Sequence, residues 1–407
     1  MTETLSVQRN LELLGRYQYL EIQMMELMGS WACTILDPEI KIAFGRQMYQ
    51  DAVHADLLGK RIPELKGRSA HFHAIPPSDG VVRLIERVWK AEGDLKRMVG
   101  LYRILKPALI EAYRSHIAMA ELPADEPTVY ILRHIADEER DHCTWAEKVI
   151  SRLPADPLTG EWERDLAREL REVAPAASGG VGPFTGAGRG TYAFTKVHGY
   201  SLLPVRDSRW DIIADPGEFT EKNWSFDTQE GKQHLLHDLL NSEFITVERM
   251  GRILADFPGI PWQMKLDMAR QAWDEARHAE IVQRRLEELG GRVGMFKTSC
   301  WGWEQDVNRP DPLERLALSN MTFESESCKH LRDWIKKAKE GGDERSVQLL
   351  DFLLADEVNH VLYGVHWIDE LTRDDPERRK RVLAYPKGVL EGQHPVGVRF
   401  DETTNAR

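Results

Sequence analysis

Residues 271–282 read QAWDEARHAEIV, and the pair Glu275 and His278 inside this stretch decides the fold. Three positions apart on a helix, a carboxylate and an imidazole leave the same face about one turn from each other, so both can reach a single ion. A second such pair, Glu357 and His360, lies in FLLADEVNHVLYG (352–364). A lone glutamate stands upstream of each pair: Glu243 in LLNSEFITVERMG (239–251) and Glu324 in NMTFESESCKH (320–330). Helices supplying Glu, Glu-x-x-His, Glu and Glu-x-x-His are the pattern by which four-helix bundles hold two iron or manganese ions in their core.

The spacing supports that reading. Glu243 and Glu275 are 32 residues apart, and Glu324 and Glu357 are 33 apart. Two half-helices and a short turn cover such an interval, which brings both ligands to one height in an antiparallel hairpin. Apolar neighbours put the acids inside: Leu239, Leu240, Val247 and Met250 flank Glu243, Val282 and Leu286 continue the face of His278, and Leu353, Leu354 and Val361 flank Glu357. Converging carboxylates repel one another and take up protons unless a cation joins them. Two divalent ions, four carboxylates and two neutral imidazoles sum to zero charge. A lone Glu-x-x-His recurs by chance on charged helices, but two, each preceded by a core-facing glutamate at nearly the same distance, argue for a metal site.

The chain has 407 residues, 42% of them apolar and 8% aromatic, enough for two cores. Its formal charge of -12 argues against a broad nucleic-acid or anionic-membrane surface. Cys33, Cys143, Cys300 and Cys328 form no C-x-x-C pair, the N-terminus lacks a signal pattern, and no stretch approaches a membrane span. A cytoplasmic setting is the expectation.

Helical periodicity covers 5–32, 38–60, 81–121 with a kink near Pro107, and 126–152, then 231–256, 262–289, 312–339 and 343–372. Asp37-Pro38 opens the second of these, while Gly290-Gly291 and Gly341-Gly342 close two others. His71 and His73 fall in a Gly, Ser and Pro-rich loop, and APAASGGVGPFTGAGRG (174–190) reads as a flexible linker. The expected domains are 1–152, an irregular connector 153–230, 231–375, and a tail 376–407 that reads as extended or disordered from Tyr385 onward.

The halves repeat each other. Glu21, Glu26, Met28 and Gly29 match Glu243, Glu248, Met250 and Gly251 at an offset of 222, and Asp51 and His54 match Glu275 and His278 at 224. Glu111 is placed over Glu324 at 213, and Glu139 and His142 over Glu357 and His360 at 218. The chain is therefore read as all-α, two copies of one four-helix module joined by the Gly/Pro-rich linker. The first copy departs from the pattern: Asp51 is a methylene shorter than glutamate, Pro107 lies four before Glu111, and Arg114 brings a cation towards it. A second dinuclear site at Glu21, Asp51, His54, Glu111, Glu139 and His142 and a relic bundle whose acids pair with cations both stay open.

The stretch 231–372, with FPGIP, DEARH followed by LEELG, FESES and AKEGGDERSVQLLDFLLADEVNHVLYG, resembles a bacterial ferritin-like family whose function is unknown, within the ferritin-like di-iron carboxylate superfamily. The resemblance implies metal ligation by Glu243, Glu275, His278, Glu324, Glu357 and His360. The expected cofactor is a pair of iron ions, with manganese as the alternative. The expected activity is an O2-dependent oxidation of a small molecule, by hydroxylation, N-oxygenation or desaturation, in which an electron donor and a homodimer stay open. Trp301, Trp303, Phe323 and Tyr363 are candidates to line a substrate pocket, and Cys143 and Cys328 for a redox role. The alternative is a ferroxidase or metal-storage protein whose first bundle is a structural or dimerisation module.

Overall fold

The computed structural model describes residues 5–65, 74–173, 183–185, 190–194, 204–213, 224–307 and 309–391. The chain is all-α. His71, His73, most of the 174–190 linker and the tail beyond 391 lie outside the described residues.

Two compact units form, and neither is continuous in sequence: one takes Met1–Met28 and Gln47–His198, the other Gly29–Arg46 and Gly199–Arg407. Residues 29–46 thus group with the C-terminal part, whereas chain order alone put them in 1–152.

The first unit contains most of α1 (Val7–Trp31) and α2 (Pro38–Glu64), then α3 (Asp79–Trp89) and α4 (Asp94–Val99). A π-helical turn, Gly100–Leu105, runs from α4 into α5 (Lys106–Met119), and α6 (Glu126–Ile150) follows. A further helix, α7 (Thr159–Val173), occupies part of the connector expected to be irregular, because Trp162 and Leu166 give it an inward face: Leu166 is buried and Trp162 lies beside Gly100.

The second unit is built on α8 (Gln229–Asp256), α9 (Trp262–Glu288), α12 (Glu324–Glu340) and α13 (Glu344–Leu371). Thr228 caps α8 by accepting from the Gly231 amide, and Asp343 caps α13 by accepting from Ser346. Gly290 and Gly342 end α9 and α12 at φ of 76° and 69°, a left-handed geometry that glycine adopts without a Cβ clash. Leu236, Leu240, Phe244, Val282, Leu286, Leu331, Ile335, Leu350 and Leu353 interlock between these helices. Short helices α10 (Trp301–Asp306) and α11 (Pro312–Leu316) fill the crossover, β1 (Asp211–Ile213) pairs in parallel with β2 (Lys297–Ser299), and a second π-helical turn, Ala317–Phe323, leads from α11 into α12.

The tail begins as a helix, α14 (Pro376–Leu390), correcting the extended reading. Its Tyr385 and Val389 pack on Leu318 of the π turn, which removes apolar surface that an extended strand would leave in water. Within the second unit, a Cβ at Gly251 would lie 2.9 Å from the Gly29 carbonyl oxygen, so these two glycines meet backbone to backbone. No helix among the described residues is long and apolar enough to cross a membrane.

Candidate metal centre

Glu243 projects from α8, Glu275 and His278 from α9, Glu324 from the start of α12, and Glu357 and His360 from α13. All six are buried, none more than 6% exposed. They converge in two overlapping groups, Glu243, Glu275, His278 and Glu357, and Glu275, Glu324, Glu357 and His360, with the donor atoms of each group within 4.8 Å of one another. Glu275 and Glu357 belong to both groups. His278 Nδ1 lies 3.4 Å from Glu243, Glu275 and Glu357, and His360 Nδ1 lies 3.2 Å from Glu275 and 3.0 Å from Glu357. Such a buried cluster of carboxylates and imidazoles could hold metal ions.

Its electrostatics show what the cluster lacks when bare. Burial pushes Glu243 and Glu324 well above the usual carboxylate range, with Glu275 adding to the push on both and Glu357 to that on Glu324. Burial opposes a charge on His278 and His360, but the surrounding carboxylates overcome it and raise both imidazoles well above their ordinary value. Burial also pushes Glu275 and Glu357 up, yet the two imidazoles hold both below the ordinary value. Burial thus drives Glu243 and Glu324 towards the neutral form, while the imidazoles and Glu275 and Glu357 hold one another towards the charged form.

Two aspartates that are not among the predicted ligands lie on the outer faces of the imidazoles, Asp356 in hydrogen-bond contact with His278 and Asp274 in a longer ionic contact with His360, whose Nε2 makes no hydrogen bond among the described residues. Asp356 Oδ2 lies 3.2 Å from His278 Nε2, and Asp274 Oδ2 lies 3.5 Å from His360 Nε2. Each aspartate immediately precedes a ligand glutamate on the opposite hairpin, in DEARH and DEVNH, and that doubled D-E-x-x-H is the signal in the sequence that points to them. Burial pushes Asp274 up, but His360, Arg270 and Arg277 hold it down to about 2. Gln271 Nε2 donates to both Glu275 and Glu324 at 3.2 Å, and its Oε1 accepts from Asn320 at 2.7 Å.

In the first unit Glu21, Asp51, His54 and Glu139 converge, all 0% exposed. Glu111 does not join them. It lies exposed on α5 near Ser115. The inward position belongs to Lys106, the residue directly after the π turn as Glu324 is after its own. Lys106 corresponds to Glu324 at an offset of 218, the same as for Glu139 and His142, so the offset of 213 is a misregistration. Residues five apart on a helix point about 140° apart, so Lys106 and Glu111 cannot both face inward. Lys106 Nζ reaches Asp51 at 2.9 and 3.1 Å and both oxygens of Glu139 at 2.8 Å. It also lies 3.3 Å from His142 Nδ1, so the nitrogen expected to ligate a metal faces an ammonium instead.

The supposed pocket residues disperse. Trp303 is buried with Cys33 and Cys300, Phe323 packs beside Leu318 and Tyr385, and Tyr363 lies near the cluster, its ring 6.3 Å from that of His360. The Trp301 side chain lies outside the described residues. Burial pushes the Cys143 thiol up to about 12 and raises Cys328 as well, which keeps both as poorly reactive thiols.

A Haemophilus influenzae protein described as uncharacterized is 29% identical over 157 residues, which is 37% of this chain and 54% of its own length. The chain thus spans about half the length of that curated relative. No solved structure matches. Residues 167–398, which include every residue of the second cluster, match the family described as "Protein of unknown function (DUF455)", and the chain belongs to that family.

Proposed function

We propose that the second unit holds two iron ions between Glu243, Glu275, His278, Glu324, Glu357 and His360, and that the protein is an O2-dependent oxidase or oxygenase of a small molecule. The observation that carries this reading is the pair of donor groups sharing Glu275 and Glu357. The residues fit such ions: His278 Nδ1 is buried and without a hydrogen-bond partner, aimed at three carboxylates. Four carboxylates and two divalent ions balance in charge, and oxygen-rich donors with one imidazole per ion suit iron or manganese better than zinc. When bound, a ferrous pair supplies the electrons that activate dioxygen. The chain's own part is to orient His278 through Asp356, to hold Glu275 and Glu324 through Gln271, and to keep bulk water out by burial. The donor set supports placing the family in the ferritin-like superfamily, and the matched positions of the two clusters support a tandem duplication of one helical module.

Loading the full chain with Fe(II) without air and then admitting O2 tests this reading. The expected result is two ions in the second unit, O2 uptake with an oxidised di-iron absorption, and loss of both in Glu275→Gln. No uptake with any small molecule offered would sink the oxidase reading. Iron accumulating far beyond a few ions per chain would replace it with storage.

A further inference from the structure

The cluster of the first unit keeps half of a two-ion arrangement and exchanges the other half for a lysine. Glu21, Asp51, His54 and Glu139 stand where Glu243, Glu275, His278 and Glu357 stand in the sequence repeat, and these are the four donors of one complete group. The remaining group would need a carboxylate at the position of Glu324, and Lys106 is there. His142, the counterpart of His360, has its Nδ1 beside the Lys106 ammonium, while its Nε2 lies 3.0 Å from Gln50 Oε1.

The retained half carries the marks of a place for a cation. His54 Nδ1 and Glu21 Oε2 are fully buried, 3.4 Å apart, and neither has a hydrogen-bond partner among the described residues. Glu139 Oε1 is 3.5 Å from the same nitrogen. On the far side of the ring, Glu138 Oε2 lies 2.8 Å from His54 Nε2, in the place that Asp356 Oδ2 takes at 3.2 Å from His278 Nε2. An outer carboxylate of this kind keeps the Nε2 proton in place and turns the Nδ1 lone pair inward. A lone pair facing carboxylate oxygens is repelled unless a proton or a metal ion lies between them.

We propose that the first unit binds one divalent transition-metal ion between Glu21, Asp51, His54 and Glu139, with the Lys106 ammonium serving as the second positive centre. Three carboxylates, one ammonium and one divalent ion sum to zero, as four carboxylates and two ions do in the other cluster. The unit is then a single-ion site and has no electron pair of metals to offer dioxygen. This inference does not depend on the oxidation chemistry proposed above.

The probe is Mn(II), titrated into the metal-free full chain with bound ion counted and its electron paramagnetic resonance recorded. The wild type is expected to take up three ions, two in the second unit and one in the first. A chain carrying Glu275→Gln and Glu357→Gln should keep one ion with an isolated, uncoupled signal, and adding His54→Ala should remove it. In the same background, Lys106→Glu should raise uptake to two and couple the spins. The inference is overturned if the doubly substituted chain, folded by circular dichroism, binds no ion, or if its ion survives His54→Ala. Loss of the second-unit ions alone would strike only the function proposed earlier.

Discussion

His278 of the second cluster is held from outside by Asp356 of the opposite hairpin, and that support has a measurable worth. Asp356 Oδ2, 3.2 Å from His278 Nε2, is placed to accept a proton from it and so to leave Nδ1 to the carboxylates. Removing an outer partner of this type lowers metal affinity by about 10- to 100-fold. Asp356→Ala is expected to do so in a competition titration against a chromophoric chelator, and an unchanged affinity would remove its positioning role. A second residue makes the fold sensitive to acid. His116 is 0% exposed, 2.6 Å from Asn10 Oδ1, and burial, assisted by Arg9 and opposed by Asp125, pushes it down to about 4. Below its ordinary value of 6.5 the unfolded chain takes up a proton that the folded one refuses. Its contribution is therefore complete above pH 6.5 and lost as the pH falls towards about 4, at most about 3 kcal/mol. His116→Gln keeps a donor for Asn10 and should flatten denaturant-unfolding stability across that window relative to wild type. Parallel curves would contradict this.

At the scale of elements, the π turns choose which residue faces the cluster. Asn320 in the second turn donates to the His360 carbonyl at 2.9 Å and to Gln271, while in the first turn the Tyr102 hydroxyl meets Gln47 at 2.5 Å. Gln47 and Gln271 each stand one turn before an acid of their own cluster, Asp51 and Glu275. The second turn can lie this close to α13 because Gly364 has no side chain: a Cβ there would sit 2.7 Å from Asn320 Cβ and 3.2 Å from Met321 Cγ. Gly364→Ala should cost about 1–3 kcal/mol through overpacking, read by denaturant unfolding. It should also weaken the ion beside His360 more than the ion beside His278. Equal weakening of both would argue that the turn does not position Glu324.

For the whole molecule, cation binding and folding are linked. An ion held only by the folded chain stabilises it by about 2.7 kcal/mol when free ion is a hundred times Kd. Chelation should therefore lower the thermal midpoint of the wild type, and Glu275→Gln should reduce that response; a midpoint indifferent to chelator would exclude tight binding. Most helix positions and the second cluster are legible in the sequence. Periodicity and glycine stops are local signals, and two Glu-x-x-His pairs with their upstream glutamates mark one face of each rod. Glu111 shows where this legibility ends. Its identity matches Glu324, but the residue directly after the first π turn, where Glu324 stands after the second, is Lys106, and that residue faces inward.

The sequence by itself determined that the chain is helical, where most helices start and stop, and that Glu243, Glu275, His278, Glu324, Glu357 and His360 share an interior. These depend on neighbours within a few turns of the same rod. Only the tertiary structure decided that an ammonium completes the first cluster, that aspartates from opposite hairpins lie on the outer faces of the imidazoles, and that residues 376–390 coil into a packed helix. Each of those outcomes is set by the approach of segments far apart in the chain, where distance and burial, and not spacing, decide which charge meets which.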